Sequence, residues 1–408
     1  MKWVWVHSMR FQRRGTEVFS EAQVAYRTWQ RYLAHCDSLH VVGRGPEAEL
    51  SHQAKYIKPC GGPGMTFTLV DGINSPREML ANTGRVLRQL EEVISQADGV
   101  IARLPSEHGL MAVAVARKLG KPFAVELVGC AQDALWFHGD IRGKIYAPIM
   151  ARRVKAAVAV APFVLYVTRE FLQRRYPARH VIGRASNVEI AGITAAVSDV
   201  DVPAFSTKET QSENRTDPAM QIGLIGAFQN EYKGHGTALR ALRQVIDVGV
   251  PARLRLIGVG GTERWMAEAR KLGVEGHVSF EGVLPAGEPV MKWLQDLDIY
   301  IQPSLTEGLP RALIEAMAAG RAAFASRVGG IPELLPDDCL HTPGDWKALA
   351  RMLVWAAQDP TWRQEAGQGN RLKAQEYASD VLQERRSAFW SAFASVCAGG
   401  TDEGRMCA

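Results

Sequence analysis

Little in this sequence is extreme, and each shortage removes a class of protein. Only six cysteines occur in 408 residues, at positions 36, 60, 130, 339, 397 and 407, with no C-x-x-C pair and no histidine at metal-ligand spacing beside them. A disulfide-stapled scaffold and a cysteine zinc site are therefore not expected, and reduced cytosolic thiols are. No apolar run approaches the roughly 20 residues that a membrane span needs. The longest, 156–167, carries Pro162 inside it and reads as a buried strand with its approach. The opening MKWVWVH reads as a short strand running into Arg10, Arg13 and Arg14 rather than as a secretory leader. Charge is nearly balanced, with 48 Lys plus Arg against 43 Asp plus Glu. The small positive excess suits phosphates or an anionic membrane surface but does not argue for nucleic acid.

What the chain does have is length and alternation. At 408 residues and 47% hydrophobic content, it can bury two cores. Strand-like runs at 3–6, 39–42, 99–102, 123–127 and 157–160 alternate with helical stretches at 17–35, 85–96 and 110–119. Runs at 221–225, 253–257, 277–280, 299–302 and 322–325 repeat the pattern. Such βαβ alternation implies parallel sheets with helices on both faces, hence an α/β fold of two doubly wound Rossmann-like domains. The stretch 198–220 is polar, with few large apolar side chains, and marks the boundary. The expected domains are 1–200, a linker or surface loop at 201–220, 221–380, and a terminal segment at 381–408. In that segment Leu382, Phe389, Trp390 and Phe393 stand at helical spacing, so it is expected to pack back on the N-terminal domain. A membrane-facing stripe is the alternative reading.

The most informative segment is 299–336, IYIQPSLTEGLPRALIEAMAAGRAAFASRVGGIPELLP. A strand ends at Gln302, a polar loop follows, and a helix is expected to start near Leu309 with Pro310 in its first turn, where a missing N–H costs nothing. A loop-to-helix junction at the carboxyl end of a parallel strand offers free N–H groups and a positive dipole end to a phosphate. Glu315 lies about five residues into this helix, roughly 8 Å from its start at 1.5 Å per residue, a ribose away from a bound diphosphate. Its neighbours Leu313, Ile314, Ala316 and Met317 are apolar, so an unpaired carboxylate there is costly unless hydroxyls supply donors. Glu307 precedes the helix beside Gly308, where the backbone can approach a ligand closely. A helix N-terminal carboxylate and a surface glutamate are the bland readings of these two residues.

Together, Glu307-Gly-Leu-Pro, Glu315 and Val328-Gly-Gly-Ile-Pro-Glu333 resemble the signature of family 4 retaining glycosyltransferases of the group 1 type, with the GT-B fold and its interdomain cleft. The resemblance extends to 223–242, GLIGAFQNEYKGHGTALRAL, which is similar to that family's strand, glycine turn at Gly226 and Lys-Gly pair at Lys233. RLRLIGVGG at 253–261 resembles the next strand of the donor domain. VSFEGVL at 278–284 resembles the segment facing the nucleotide base, at Val283 and Leu284. In the N-terminal half, Gly15-Thr16-Glu17 stands where the family has a glycine turn before its first helix. YVTREFL at 166–172 and Ser186-Asn-Val resemble segments near the hinge.

This resemblance implies transfer of a hexose-type sugar from a nucleotide-diphosphate donor to a glycan or lipid-linked acceptor, with retained configuration, in polysaccharide or cell-envelope glycan synthesis. It implies catalytic roles for Glu307 and Lys233, and donor contacts at Glu315, Gly308, Leu309, Pro310, Gly226, Val283, Leu284 and Gly15. No metal and no cofactor beyond the nucleotide-sugar substrate is expected. Lys233 and the helix start would stabilise charge on the departing diphosphate. The expected setting is cytoplasmic, with possible contact at the inner membrane face.

Two departures stand out. Ala227 occupies the place where the family often has an arginine clamp. VELVGCAQD at 125–133 lacks the family's histidine, and His138, out of register, is given no role. Other signals are weaker. Asp296-Leu-Asp298 has the spacing of a metal-binding pair but stands before a strand, where a structural role is expected. Gly258-Val-Gly-Gly is half a dinucleotide fingerprint. Residues 61–64, GGPG, read as a flexible turn. Arg10, Arg13, Arg14, Arg142 and Lys144 form either a basic rim for a lipid-linked or acidic acceptor or simply solvated charge. A non-catalytic nucleotide-sugar-binding protein, a GT-B epimerase or phosphorylase, and an NAD-linked oxidoreductase remain as alternatives.

Overall fold

The computed structural model describes residues 1–20, 24–45, 59–73, 75–138, 141–188, 190 and 218–399. Most of the expected linker at 201–220 lies outside these residues, as does Cys407. The chain divides into two compact units, one of Met1–Leu135, Ile141–Ala185 and Gln383–Ala408, the other of Trp136–Asp140 and Ser186–Leu382.

The first unit is built on an eight-stranded sheet. Its strands are β1 (Lys2–Arg14), β2 (Glu17–Ser20), β3 (Ser38–Arg44), β4 (Met65–Val70), β5 (Gly99–Leu104), β6 (Phe123–Leu127), β7 (Phe163–Tyr166) and β8 (Val181–Arg184). The order is β4-β3-β1-β5-β6-β7-β8, all parallel, with β2 folded antiparallel onto the far end of β1. The interleaved helices are α1 (Tyr26–Leu33), α2 (Pro76–Ser95), α3 (Glu107–Lys118), α4 (Ala131–His138), α5 (Ile141–Val160) and α6 (Phe171–Arg175). Strands β5 and β6 are almost wholly buried, which explains their mostly apolar sequences, and the two charges they carry, Arg103 and Glu126, pair at 3.0 Å. A capping box of Ser75 and Glu78 with Pro76 at the first position starts α2.

Two expectations fail here. The run 157–160 is the last turn of α5, and the strand is β7, after Pro162. Its alanines favour helix, and Pro162 stops the helix from continuing. The stretch 17–35 begins as β2 rather than helix, because Gly15 and Thr16 make a two-residue hairpin loop, with Gly15 at φ +59°. Gly15 is therefore a hairpin tip and not a strand-to-helix turn. Residues 61–64 make the expected turn, closed by Met65 N donating to the Gly62 carbonyl at 3.1 Å and packed on Tyr26. Tyr26 OH donates to the Pro63 carbonyl at 2.9 Å, and a Cβ on Gly62 would lie 2.3 Å from the Tyr26 ring.

The second unit carries β9 (Met220–Ile225), β10 (Ala252–Ile257), β11 (Val278–Phe280), β12 (Ile299–Gln302), β13 (Ala322–Ser326) and β14 (Leu340–His341). Their order is β11-β10-β9-β12-β13-β14, parallel throughout. Helices α7 (His235–Asp247), α8 (Glu263–Lys271), α9 (Glu288–Gln295), α10 (Arg311–Ala318), α11 (Trp346–Gln358) and α12 (Pro360–Ala374) accompany them. The chain runs from β9 outward to β11, then returns to β12 and runs the other way. The carboxyl ends of β9 and β12 thus form the topological switch point, where open α/β sheets bind ligands. At the opposite, amino ends of the two strands Asp298 ties them together: its carboxylate accepts from Gln221 N at 2.7 Å while its own N–H donates to the Gln221 carbonyl at 2.9 Å.

The last helix, α13 (Ser379–Cys397), starts in the second unit, where Ser379 Oγ donates to the Ile190 carbonyl, and ends in the first. There Trp390 meets Trp3 and Tyr32 at ring distances of 5.8 and 5.2 Å, and Phe393 meets Phe163 at 5.4 Å. Leu382, Phe389, Trp390 and Phe393 are all buried, so the apolar stripe is spent on the core. Among the described residues, no helix is long and apolar enough to cross a membrane.

Candidate active site

Two loops leave the switch point, and the backbone staples them together. After β9, Gly226 lies so close to the next strand's turn that a Cβ on Gly258 would stand 1.9 Å from the Gly226 carbonyl oxygen. The chain then makes a short 3-10 turn, Glu231–Lys233, and enters α7 through Gly234. Gly234 is at φ +80°, and a Cβ there would sit 2.0 Å from the Pro303 carbonyl oxygen. Leu305 N donates to the Tyr232 carbonyl at 2.7 Å, tying this loop to the one that follows β12.

Across this junction Lys233 Nζ donates to Glu307 Oε1 at 2.8 Å, with the two side chains only 20% and 9% exposed. Burial alone would pull the Lys233 ammonium down, but the Glu307 charge and hydrogen bond more than reverse it, so its pKa is raised and it stays charged. The same Glu307 oxygen accepts from Ser304 Oγ at 2.8 Å and Gln302 Nε2 at 3.1 Å. Tyr300 OH donates to Gln302 Oε1 at 2.8 Å, which sets the amide so that its nitrogen faces Ser304 and Glu307. With Oε1 held by three donors, Oε2 has no partner among the described residues and is the free end of a rigidly placed carboxylate.

The glycine pair after β13 supports the same loop. Gly330 N donates to the Gly308 carbonyl at 2.7 Å. A Cβ on Gly329, at φ +56°, would stand 2.0 Å from the Glu307 carbonyl oxygen. The helix α10 begins at Arg311, two residues later than expected, with Pro310 at its N-cap and Gly308 and Leu309 in the loop before it. Arg311 is exposed and has no ion-pair partner among the described residues, although it lies near enough to Lys233 and Glu315 to act on both charges. Glu315 is partly buried and has no hydrogen-bond partner among the described residues. Burial raises its carboxyl pKa, and Arg311 opposes this only in part.

Val283 and Leu284 follow β11 and are partly buried. Their segment is held by Gly258 N donating to the Gly282 carbonyl at 2.7 Å and by Glu281, which accepts from Arg255 at 2.7 and 3.0 Å and from Trp293 Nε1 at 2.8 Å. Gly15 belongs to the other unit, at its hairpin tip. Sequence reading missed Tyr300, Gln302 and Ser304, although their period of two places them on one side of the extended chain at the end of β12. It also missed His235, which is fully buried between Trp265 and Phe228 at 5.1 and 5.4 Å. Burial lowers its pKa to about 4, the Gly226 backbone opposing this only in part, so the ring is neutral.

The arrangement offers a cation, a carboxylate with one free oxygen, a helix start and a second unpartnered carboxylate, all at one switch point. Comparison with known proteins gives the family and the fold. The description of glycosyl transferases group 1 matches residues 219–359. Protein CapJ of Staphylococcus aureus is 30% identical over 386 residues, covering 95% of this chain and 94% of that one. The putative colanic acid biosynthesis glycosyltransferase WcaL of Escherichia coli K12 is 34% identical over 170 residues, 39% of this chain and 40% of that one. Among solved structures, Anabaena HepE in complex with UDP superposes with a TM-score of 0.66 at 16% identity, over 96% of this chain and all of that one. Sucrose-phosphate synthase from Thermosynechococcus elongatus gives a TM-score of 0.68 at 15% identity, covering 97% and 99% of the two chains. The chain belongs to the group 1 glycosyl transferases and has their GT-B fold.

Proposed function

We propose that this glycosyltransferase moves a hexose from a nucleotide-diphosphate sugar to a glycan or lipid-linked acceptor with retention of configuration, in the synthesis of a polysaccharide or cell-envelope glycan. The observation that carries this reading is the Lys233–Glu307 pair at the β9/β12 switch point, with Glu307 Oε2 unengaged and Glu315 unpartnered eight residues further on. Breaking the anomeric bond builds charge on the departing diphosphate. Lys233, the N–H groups at the start of α10 and Arg311 neutralise that charge with the protein's own groups, so no metal is assigned a role. Glu315 accepts from the ribose hydroxyls, which supply the donors it lacks. Glu307 orients the sugar and tolerates positive charge at the anomeric carbon. The acceptor attacks from the face the diphosphate leaves, and the diphosphate takes its proton.

The reading draws support from relatives such as the putative colanic acid biosynthesis glycosyltransferase WcaL, and from the fold it shares with HepE, captured with UDP. A second reading, a nucleotide-sugar-binding protein without turnover, is favoured by Ala227 standing where the family often has an arginine. Donor hydrolysis in the absence of acceptor separates the two. Proton NMR of the sugar released from UDP-, GDP-, ADP- and dTDP-hexoses should show slow cleavage of one donor with the anomeric configuration kept. No cleavage of any donor that binds would favour the non-catalytic reading, and an inverted product would end the retaining one.

A further inference from the structure

The outward face of α5 carries a surface with no role in the chemistry above. Ile141, Ile145 and Ile149 are 77, 68 and 51% exposed. At about 100° per residue they fall within an arc of roughly 80° and extend over about 12 Å of helix. The helix cannot turn them inward. Ala147, Met150, Val154, Ala157 and Val158 fill its buried face, and Tyr146 and Arg153 bind Glu107 at 2.7 and 2.8 Å. Around the isoleucines, Arg142, Lys144, Arg152 and Lys155 are exposed and have no ion-pair partner among the described residues. No acidic residue occurs anywhere in the helix.

Other basic residues singled out from the sequence differ. Arg13 donates to the Phe67 carbonyl at 3.2 Å, and Arg14 donates to Gln12 and lies 5.2 Å from the Phe19 ring.

We propose that this face of α5 docks on an anionic lipid bilayer. Such a surface satisfies both halves of the face at once: the isoleucines enter the headgroup region while the four cations meet lipid phosphates, the long stem of Arg152 letting its charge reach outward. A second copy of this chain would set the same four cations against themselves across a symmetric contact. The inference is independent of the donor reading at Lys233 and Glu307. It concerns where the enzyme works.

The test is flotation of the full chain with vesicles of phosphatidylcholine, with and without phosphatidylglycerol. Wild type should float with the phosphatidylglycerol vesicles and release as salt rises. Lys144→Glu/Lys155→Glu should weaken that binding by on the order of fivefold or more per altered charge. Ile141→Ser/Ile145→Ser/Ile149→Ser should weaken it at least as much on the same vesicles, and both variants should melt like wild type. The proposal is overturned if wild type ignores phosphatidylglycerol vesicles, if it binds phosphatidylcholine alone equally well, or if either variant binds undiminished. It is also overturned if light scattering shows a wild-type dimer that the isoleucine variant loses while vesicle binding is absent.

Discussion

The unpartnered carboxylate of Glu315 makes a prediction with two opposite signs. Burial beside Leu313, Ile314, Ala316 and Met317 raises its pKa above the ordinary value of 4.5, with Arg311 opposing only in part. A group that holds its proton more tightly when folded adds stability that is fully present below its unfolded pKa and is lost as pH rises through the folded one. Near neutral pH, ionised Glu315 is therefore a cost to folding in the ligand-free protein. Glu315→Gln removes the charge with little change of shape. It should stabilise the second unit by about 1 kcal/mol, the low end for an unsatisfied buried group because the amide also lacks a partner. For a unit of this size that corresponds to about 2–4 °C in Tm. The gain should shrink as pH falls and vanish below 4.5. Nucleoside diphosphate binding should change the other way, weakening by about 1–2 kcal/mol, or roughly 5- to 30-fold in Kd, because an amide accepts a ribose hydroxyl less strongly than a carboxylate. Differential scanning fluorimetry over a pH series and calorimetry with the preferred nucleotide measure the two effects. A variant less stable than wild type near neutral pH, or a gain that grows in acid, would refute this reasoning.

Three further substitutions probe the same junction. Glu307→Ala should lower turnover by on the order of 10²-fold while donor affinity falls much less, and steady-state kinetics showing equal losses in both would make Glu307 a plain binding residue. Gly329→Ala sets a Cβ 2.0 Å from the Glu307 carbonyl at a positive φ. Urea denaturation should register a loss of about 2 kcal/mol or more, and an unperturbed midpoint would mean that the loop yields easily. Arg311→Ala should raise the nucleotide Kd by about 5- to 10-fold as a lost charge-assisted contact. Arg264, already paired with Glu231, should be silent when replaced by alanine, and equal effects from the two would show only a loss of general charge.

How much of this could be read in advance varied with how local the cause is. Strands β6 and β12 occupy the positions expected from their apolar runs, because a strand buried on both faces advertises itself in a few consecutive residues. The run 157–160 misled because AVAV, read alone, suits either state, and its place at the end of α5 before Pro162 decides in favour of helix. Gly15 misled because a glycine turn looks alike before a strand or a helix. At the site, Lys233 and Glu307 were visible as motif residues, but their contact joins positions 74 apart in sequence. The Tyr300–Gln302–Ser304 relay carried only a period of two, which any strand has. The reason for Gly329 is a backbone neighbour that no reading of 328–333 alone could reveal. The exposed isoleucines of α5 likewise look like core until the opposite face is seen to be filled.

The donor site is tested most directly by binding. Calorimetry of UDP, GDP, ADP and dTDP with wild type and Lys233→Ala, in the presence of a chelator, should find one nucleotide preferred and its binding largely lost in the variant. Binding by none of them, or equal binding by both proteins, would contradict a donor diphosphate held at Lys233.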